Sequence, residues 1–192
     1  MPRNGAVALM TVSLLMMVAP LRAGTVKLTH KEYAPTFSAS LKQAYQGIHI
    51  YFYPFTNEAE DTGLWSYGSE AKQAKYKIQD NRLNYYLLYC FQVASRSLDM
   101  VVYENQTPNP DLRGLDLVFT SWSHERFRAR VSVYRGGVKR VEKAFHIEFE
   151  TAHSVLPDDL KQRAYDCITK VVTTILEDKE VREAFLSPAA GS

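Results

Sequence analysis

Cysteine is scarce in this sequence: Cys90 and Cys167 are the two in 192 residues. Two are too few for a disulfide-stapled scaffold, and neither stands beside a zinc or nucleophile motif. Both fall on the apolar stripe of a helical pattern. They either pair, if the two helices lie side by side in an oxidising compartment, or serve as two small buried apolar groups.

A surplus of charge is missing as well. Lys and Arg number 23 against 21 Asp and Glu. Loss of Arg3 and Arg22 with the leader described below would level the two signs. Nucleic acid demands a basic surface, so it is not an expected partner. Enzyme signatures are absent too. The chain has no HExxH, no Gly-x-Ser-x-Gly, no phosphate loop and no dinucleotide fingerprint. No repeat or low-complexity segment occurs. No metal or organic cofactor is expected.

No apolar run reaches the roughly 20 residues of a spanning helix. The longest, Ala6 to about Ala19, follows Arg3 and precedes "PLRAG", the order of a secretory leader cleaved after Ala23. No cysteine follows it, so the bacterial lipid-attachment signature is lacking. The sequence therefore predicts an exported, periplasmic protein. Its segments are a signal peptide at 1–23, an extended lead-in at 24–46 with a short helix near Ala39 to Tyr45, one α/β domain at 47–186 and a disordered tail at 187–192.

What is present is mostly periodicity. "GIHIYFYPF" alternates, with Ile48, Ile50 and Phe52 on one side and His49, Tyr51 and Tyr53 on the other, which predicts a strand. A long polar stretch, 57–80, reads as loop. From Asn81 the period becomes helical, with Leu83, Leu87, Cys90, Phe91, Ala94 and Leu98 on one face and Asp80 or Asn81 as cap. "MVVYE" is a short strand. Leu115, Leu117 and Phe119, then Phe127, Ala129, Val131 and Val133, then Val141, Phe145, Ile147 and Phe149 mark three more strands. Arg135-Gly136-Gly137 is the hairpin between the last two. One-sided alternation implies antiparallel strands with one wet face. The segment 156–186 closes the chain as a helix, with Leu160, Ala164, Cys167, Ile168, Val171 and Ile175 inward. The expected fold is an α/β (α+β) two-layer sandwich, a mainly antiparallel sheet of four or five strands with two main helices on one face.

Candidate chemistry is thin. Asn57, Glu58, Glu60 and Asp61 offer oxygens without calcium-loop spacing. As catalytic carboxylates they would need apolar shielding, and the surrounding residues are polar. His146, Glu148 and Glu150 share one strand face and could bind a first-row metal. The favoured alternative is a solvated face on which Arg128 and Arg130 pair with the carboxylates. More unusual are the aromatics at Tyr51, Tyr53, Trp65, Tyr67 and Tyr76, a residue type enriched at interfaces.

The strand Ile48 to Asn57 of the form hxhxxFxN, the stretch Thr62 to Tyr67 of the form T-x-x-W-x-Y, the Tyr-rich helix Asn81 to Leu98 and the meander Leu115 to Glu150 together resemble a broad group of bacterial envelope proteins, mostly small lipoproteins. The topology is similar to the amino-terminal domain of the Tol translocation β-propeller protein and to the periplasmic domain of the curli secretion lipoprotein. It also resembles lipoprotein activators of cell-wall synthases. The missing lipid-attachment cysteine is a departure from the lipoprotein members. The resemblance implies a non-enzymatic accessory or assembly role and carries over no catalytic residue. The leading expectation is thus a module that binds an envelope protein or cell-wall component through Tyr51, Tyr53, Trp65 and Tyr67. The alternative is an envelope hydrolase using Glu58, Glu60 or Asp61.

Overall fold

The computed structural model describes residues 25–59, 64–67, 74–78, 82–105, 111–123, 125–150 and 156–187. In chain order the elements are β1 (Thr25–Leu28), a single 3-10 turn, α1 (Ala39–Tyr45), β2 (His49–Phe52), β3 (Thr56–Asn57), β4 (Leu64–Tyr67), β5 (Ala74–Ile78), α2 (Leu83–Ser97), β6 (Val101–Tyr103), β7 (Arg113–Trp122), β8 (Arg126–Arg135), β9 (Val138–Glu148), α3 (Pro157–Glu177) and α4 (Lys179–Leu186). The leader at 1–23 and residues 188–192 of the tail lie outside the described residues.

The fold is α+β, with a six-stranded mixed sheet in the order β6-β2-β7-β8-β9 and β3 joined to β7. The β7, β8 and β9 meander is antiparallel, as its alternation predicts. The hairpin closes through Gly136 at φ 53° and Gly137 at φ 79°, both left-handed positions that glycine occupies without a Cβ clash. The other half of the sheet differs from the expected antiparallel form. β2 lies between β6 and β7 and is parallel to both, and β3 is parallel to β7. Parallel strands are usually covered on both faces and read as continuous apolar runs. β2 alternates because one of its faces is open, and alternation reports burial rather than direction.

A second departure is a three-stranded sheet, β1-β5-β4, parallel between β1 and β5 and antiparallel between β5 and β4. The stretch read as a polar loop thus contains β4 and β5. Their partner β1 comes from the lead-in, so no local hairpin signal marks the sheet as a whole. The lead-in is also no mere spacer: Val26, Leu28, Tyr33, Leu41 and Tyr45 join the same core as the later elements.

The core fills one face of the large sheet. Leu115, Leu117, Phe119, Phe127, Val131 and Val133 are completely buried there. They meet Leu87, Cys90 and Ala94 of α2, Ile168, Val171 and Ile175 of α3, and Val181 and Phe185 of α4 in one cluster. The Tyr45 hydroxyl donates to the Leu176 carbonyl at 2.6 Å, which gives a buried phenol a partner. The closing helix is two helices. Asp178, in extended backbone, ends α3 and caps α4 by accepting from the Glu180 and Val181 amides. Pro157 opens α3, where its missing N–H has no helical partner to lose. α2 starts after Arg82 without a side-chain cap, and the residues expected to cap it, Asp80 and Asn81, are outside the described ones. Ser187, assigned to the tail by sequence, is ordered: its amide donates to the Glu183 carbonyl at 2.8 Å.

Candidate functional site

The opposite face of the six-stranded sheet carries the site. Strand pairing puts Tyr103 beside Tyr51, Tyr51 beside Gly114, Gly114 beside Tyr134 and Tyr134 beside Lys139. Paired residues share a face, so these side chains form one row across five strands. His49 on β2 and Tyr53 just past its end flank it. His49 Nδ1 is 3.0 Å from the Tyr103 hydroxyl. The Tyr51 and Tyr53 rings meet edge to face at 5.2 Å, and Tyr53 reaches Tyr134 at 4.8 Å. The Lys139 ammonium lies 5.9 Å from the Tyr134 centroid, within cation–π range.

Gly114 makes the row possible. A Cβ at that position would stand 2.6 Å from Tyr53 Cε2, so the glycine is the seat of the Tyr53 ring. The Tyr53 amide holds the chain in register past the end of β2 by donating to the Leu115 carbonyl at 2.9 Å. His49, Tyr51, Tyr53, Tyr103 and Tyr134 are all half-buried. His49 packs on Tyr103 and Tyr53 on Tyr51 and Tyr134, each with one side open, a preorganised surface of the kind that gives binding hot spots.

One register step away is a polar row, Asp116, Ser132 and Glu142. The Ser132 hydroxyl donates to Glu142 Oε2 at 3.1 Å, and Lys139 reaches the same oxygen. Those two hydrogen bonds, Lys139 first, hold the Glu142 carboxyl below its ordinary range. Partial burial pushes Asp116 the other way, above its ordinary range.

The fold itself has a counterpart. No protein-family model and no curated protein matches the chain in sequence. A crystal structure of protein XCC0632 from Xanthomonas campestris, described by the family-model DUF330, superposes with a TM-score of 0.51 at 9% identity, over 78% of this chain and 95% of that one. At that identity the likeness concerns the fold alone.

The sequence-predicted residues divide. Tyr51 and Tyr53 are in the row. Trp65 and Tyr67 belong to β4 in the other sheet, so the four do not share one strand arrangement. Of the loop carboxylates, Glu58 is placed, half-exposed and 3.9 Å from Arg130. Glu60 and Asp61 are outside the described residues. His146 and Glu148 share β9, 3.9 Å apart, but β9 ends there and Glu150 lies beyond it, its carbonyl accepting from Arg163. Among the described residues no three His, Cys, Asp or Glu are grouped to hold a metal ion. The arginine pairing also differs, since Arg130 meets Glu58 and Arg128 stands opposite His146.

Cys90 and Cys167 are both buried free thiols, on the adjacent helices α2 and α3. Burial pushes both thiols up, Cys167 to about 11, which keeps them protonated and unreactive. Sequence reasoning missed Tyr103, Tyr134, Gly114 and Asp116. Tyr134 sits at an outward position of the β8 alternation, the one signal that could have added it.

Proposed function

We propose that this is a non-enzymatic accessory or assembly protein of the cell envelope, exported to the periplasm behind a leader cleaved near Ala23, that docks on an envelope protein or cell-wall component through the aromatic row. The observation that carries the reading is the row itself: Tyr103, Tyr51, Tyr53 and Tyr134 stand half-exposed on one sheet face, Tyr53 touches both Tyr51 and Tyr134, and a glycine is reserved for its ring. Ordered aromatics bury large area on binding at little further entropic cost. Two further features support it. Among the described residues no helix is long and apolar enough to cross a membrane. The alternation of β7 to β9, buried on the helix side and open on the other, fits a two-layer arrangement that leaves a whole sheet face for a partner.

The experiment is affinity capture from the native envelope with wild type, Tyr51→Ala, Trp65→Ala and Glu58→Gln, each with its melting curve. Truncating a hot-spot aromatic costs about 2 kcal/mol or more. Capture lost with Tyr51→Ala and kept with Glu58→Gln is the expected pattern. Loss with Trp65→Ala alone would move the surface to β4. A turnover that disappears with Glu58→Gln would replace the binding reading with that of a hydrolase.

A further inference from the structure

Where β7 begins and β8 ends beside α4, the sheet holds two buried arginines and one carboxylate. Arg113 and Arg135 face each other in register and are 9% and 6% exposed. Arg113 Nε donates to the Phe185 carbonyl at 3.0 Å, and Arg135 donates to that of Ser187. The pair therefore takes up carbonyls at the negative end of α4. Asp111 serves both, at 3.1 Å from Arg135 and 4.0 Å from Arg113, while being 61% exposed itself. Two guanidinium charges against one carboxylate leave an excess. Burial, with Arg135 adding to it, lowers the Arg113 guanidinium below its ordinary range. Arg135 Nε has no acceptor among the described residues.

Arg135 also lines a cavity of about 460 Å³, with Arg140, Val141, Glu180, Glu183 and Ala184. Arg140 is there because β9 bulges. Val133 pairs with Val141 and Tyr134 with Lys139, so Arg140 is the extra residue, and a bulge re-aims a side chain. Among the described residues the Arg140 side chain makes no hydrogen bond or ion pair, whereas Glu180 is held by Lys143 at 2.8 Å and Glu183 lies 4.0 Å from Lys179.

We propose that this cavity binds a small zwitterion the size of an amino acid or dipeptide, its carboxylate on Arg140 at the Arg135 side and its ammonium toward Glu180 and Glu183. The guanidinium fork matches a carboxylate in two hydrogen bonds. Both charges are needed, since two glutamates in the wall repel a simple dianion. Val141 and Ala184 give the aliphatic part an apolar contact. The volume falls in the roughly 300–1,000 Å³ range of small-molecule sites. Occupancy stabilises the fold by mass action. This site is separate from the aromatic row and does not rest on it.

The test is an amide NMR titration of the full chain with glycyl-alanine, its C-terminal amide, its N-acetyl form and inorganic phosphate, each to about 10 mM, a range that covers millimolar affinity. The expected result is saturable shifts at Val141, Ala184 and Ser187 with the free dipeptide, weaker by at least about tenfold for the amide. Arg140→Gln, a change at the cavity wall outside the core, should weaken the dipeptide by a similar factor. Glu183→Gln should weaken the dipeptide and leave the N-acetyl form unchanged, an arm that holds even if Arg140→Gln disturbs the hairpin. No saturable shift with the dipeptide overturns the proposal. So does equal affinity for the amide, or phosphate binding as tightly as the dipeptide.

Discussion

The two faces of the large sheet are built from the same strands and obey different rules. On the covered face Leu115, Leu117, Phe127 and Val131 are sealed beneath helices. On the open face Tyr53 touches Tyr51 and Tyr134, Tyr103 touches His49, and all remain half-exposed. The first face owes its energy to apolar area removed from water, at about 25 cal/mol per Å². The second leaves part of that area in contact with water. What the difference teaches is that an aromatic side chain on a strand has no single meaning until the face it stands on is known.

Phe127→Ala should produce the largest effect, about 3–5 kcal/mol of lost stability, because a fully buried ring leaves a cavity. Denaturant unfolding measures it. A loss below about 1 kcal/mol would mean that the covered face is not the core. Gly114→Ala comes next. Its Cβ must evict the Tyr53 ring, so the expected cost is about 1–3 kcal/mol, together with loss of partner capture. A Gly114→Ala protein that binds normally would detach recognition from the row.

The smallest effect concerns Asp116. Its raised carboxyl means that the folded state binds a proton more readily than the unfolded state. Stability from this group is fully present below the unfolded value, near 3.8, and is lost as pH rises through the folded value. Asp116→Asn should therefore melt slightly higher than wild type at pH 7 and lose that advantage on acidification. Melting temperature against pH gives the comparison. A variant less stable at pH 7 would contradict the sign. Glu142, lowered by Lys139 and Ser132, has the opposite slope, with stability present above its unfolded value near 4.5 and lost as pH falls.

How much of this was legible in the sequence follows from the range of the interactions. The β7 to β9 meander could be read because each strand pairs with its neighbour in the chain, and Gly136-Gly137 marks the turn. The helix stripes of Leu83 to Ala94 and Leu160 to Ile175 were equally local. The small sheet was not legible: Thr25 pairs with Lys75, and nothing in either stretch names the other. The same limit applies to the site. Tyr51 and Tyr53 stood out by alternation, but Tyr103 and Tyr134 join them only through register between strands remote in sequence. The break at Asp178 was masked by the continuous polar and apolar rhythm on both sides of it.

The central place of β2 has a kinetic consequence. The meander can zip by short hairpins, with little chain entropy lost at each step. β2 cannot, because its two flanking strands are made of residues that come much later. His49 and Tyr103, for example, are 54 positions apart. Contact order of that kind slows folding, since a long loop must close before any pairing repays it. The meander is thus placed to nucleate, leaving a vacant slot beside β7 that β2 enters late. Until it does, the backbone edge of β7 is exposed to any other extended chain, which is where misassembly during folding would begin.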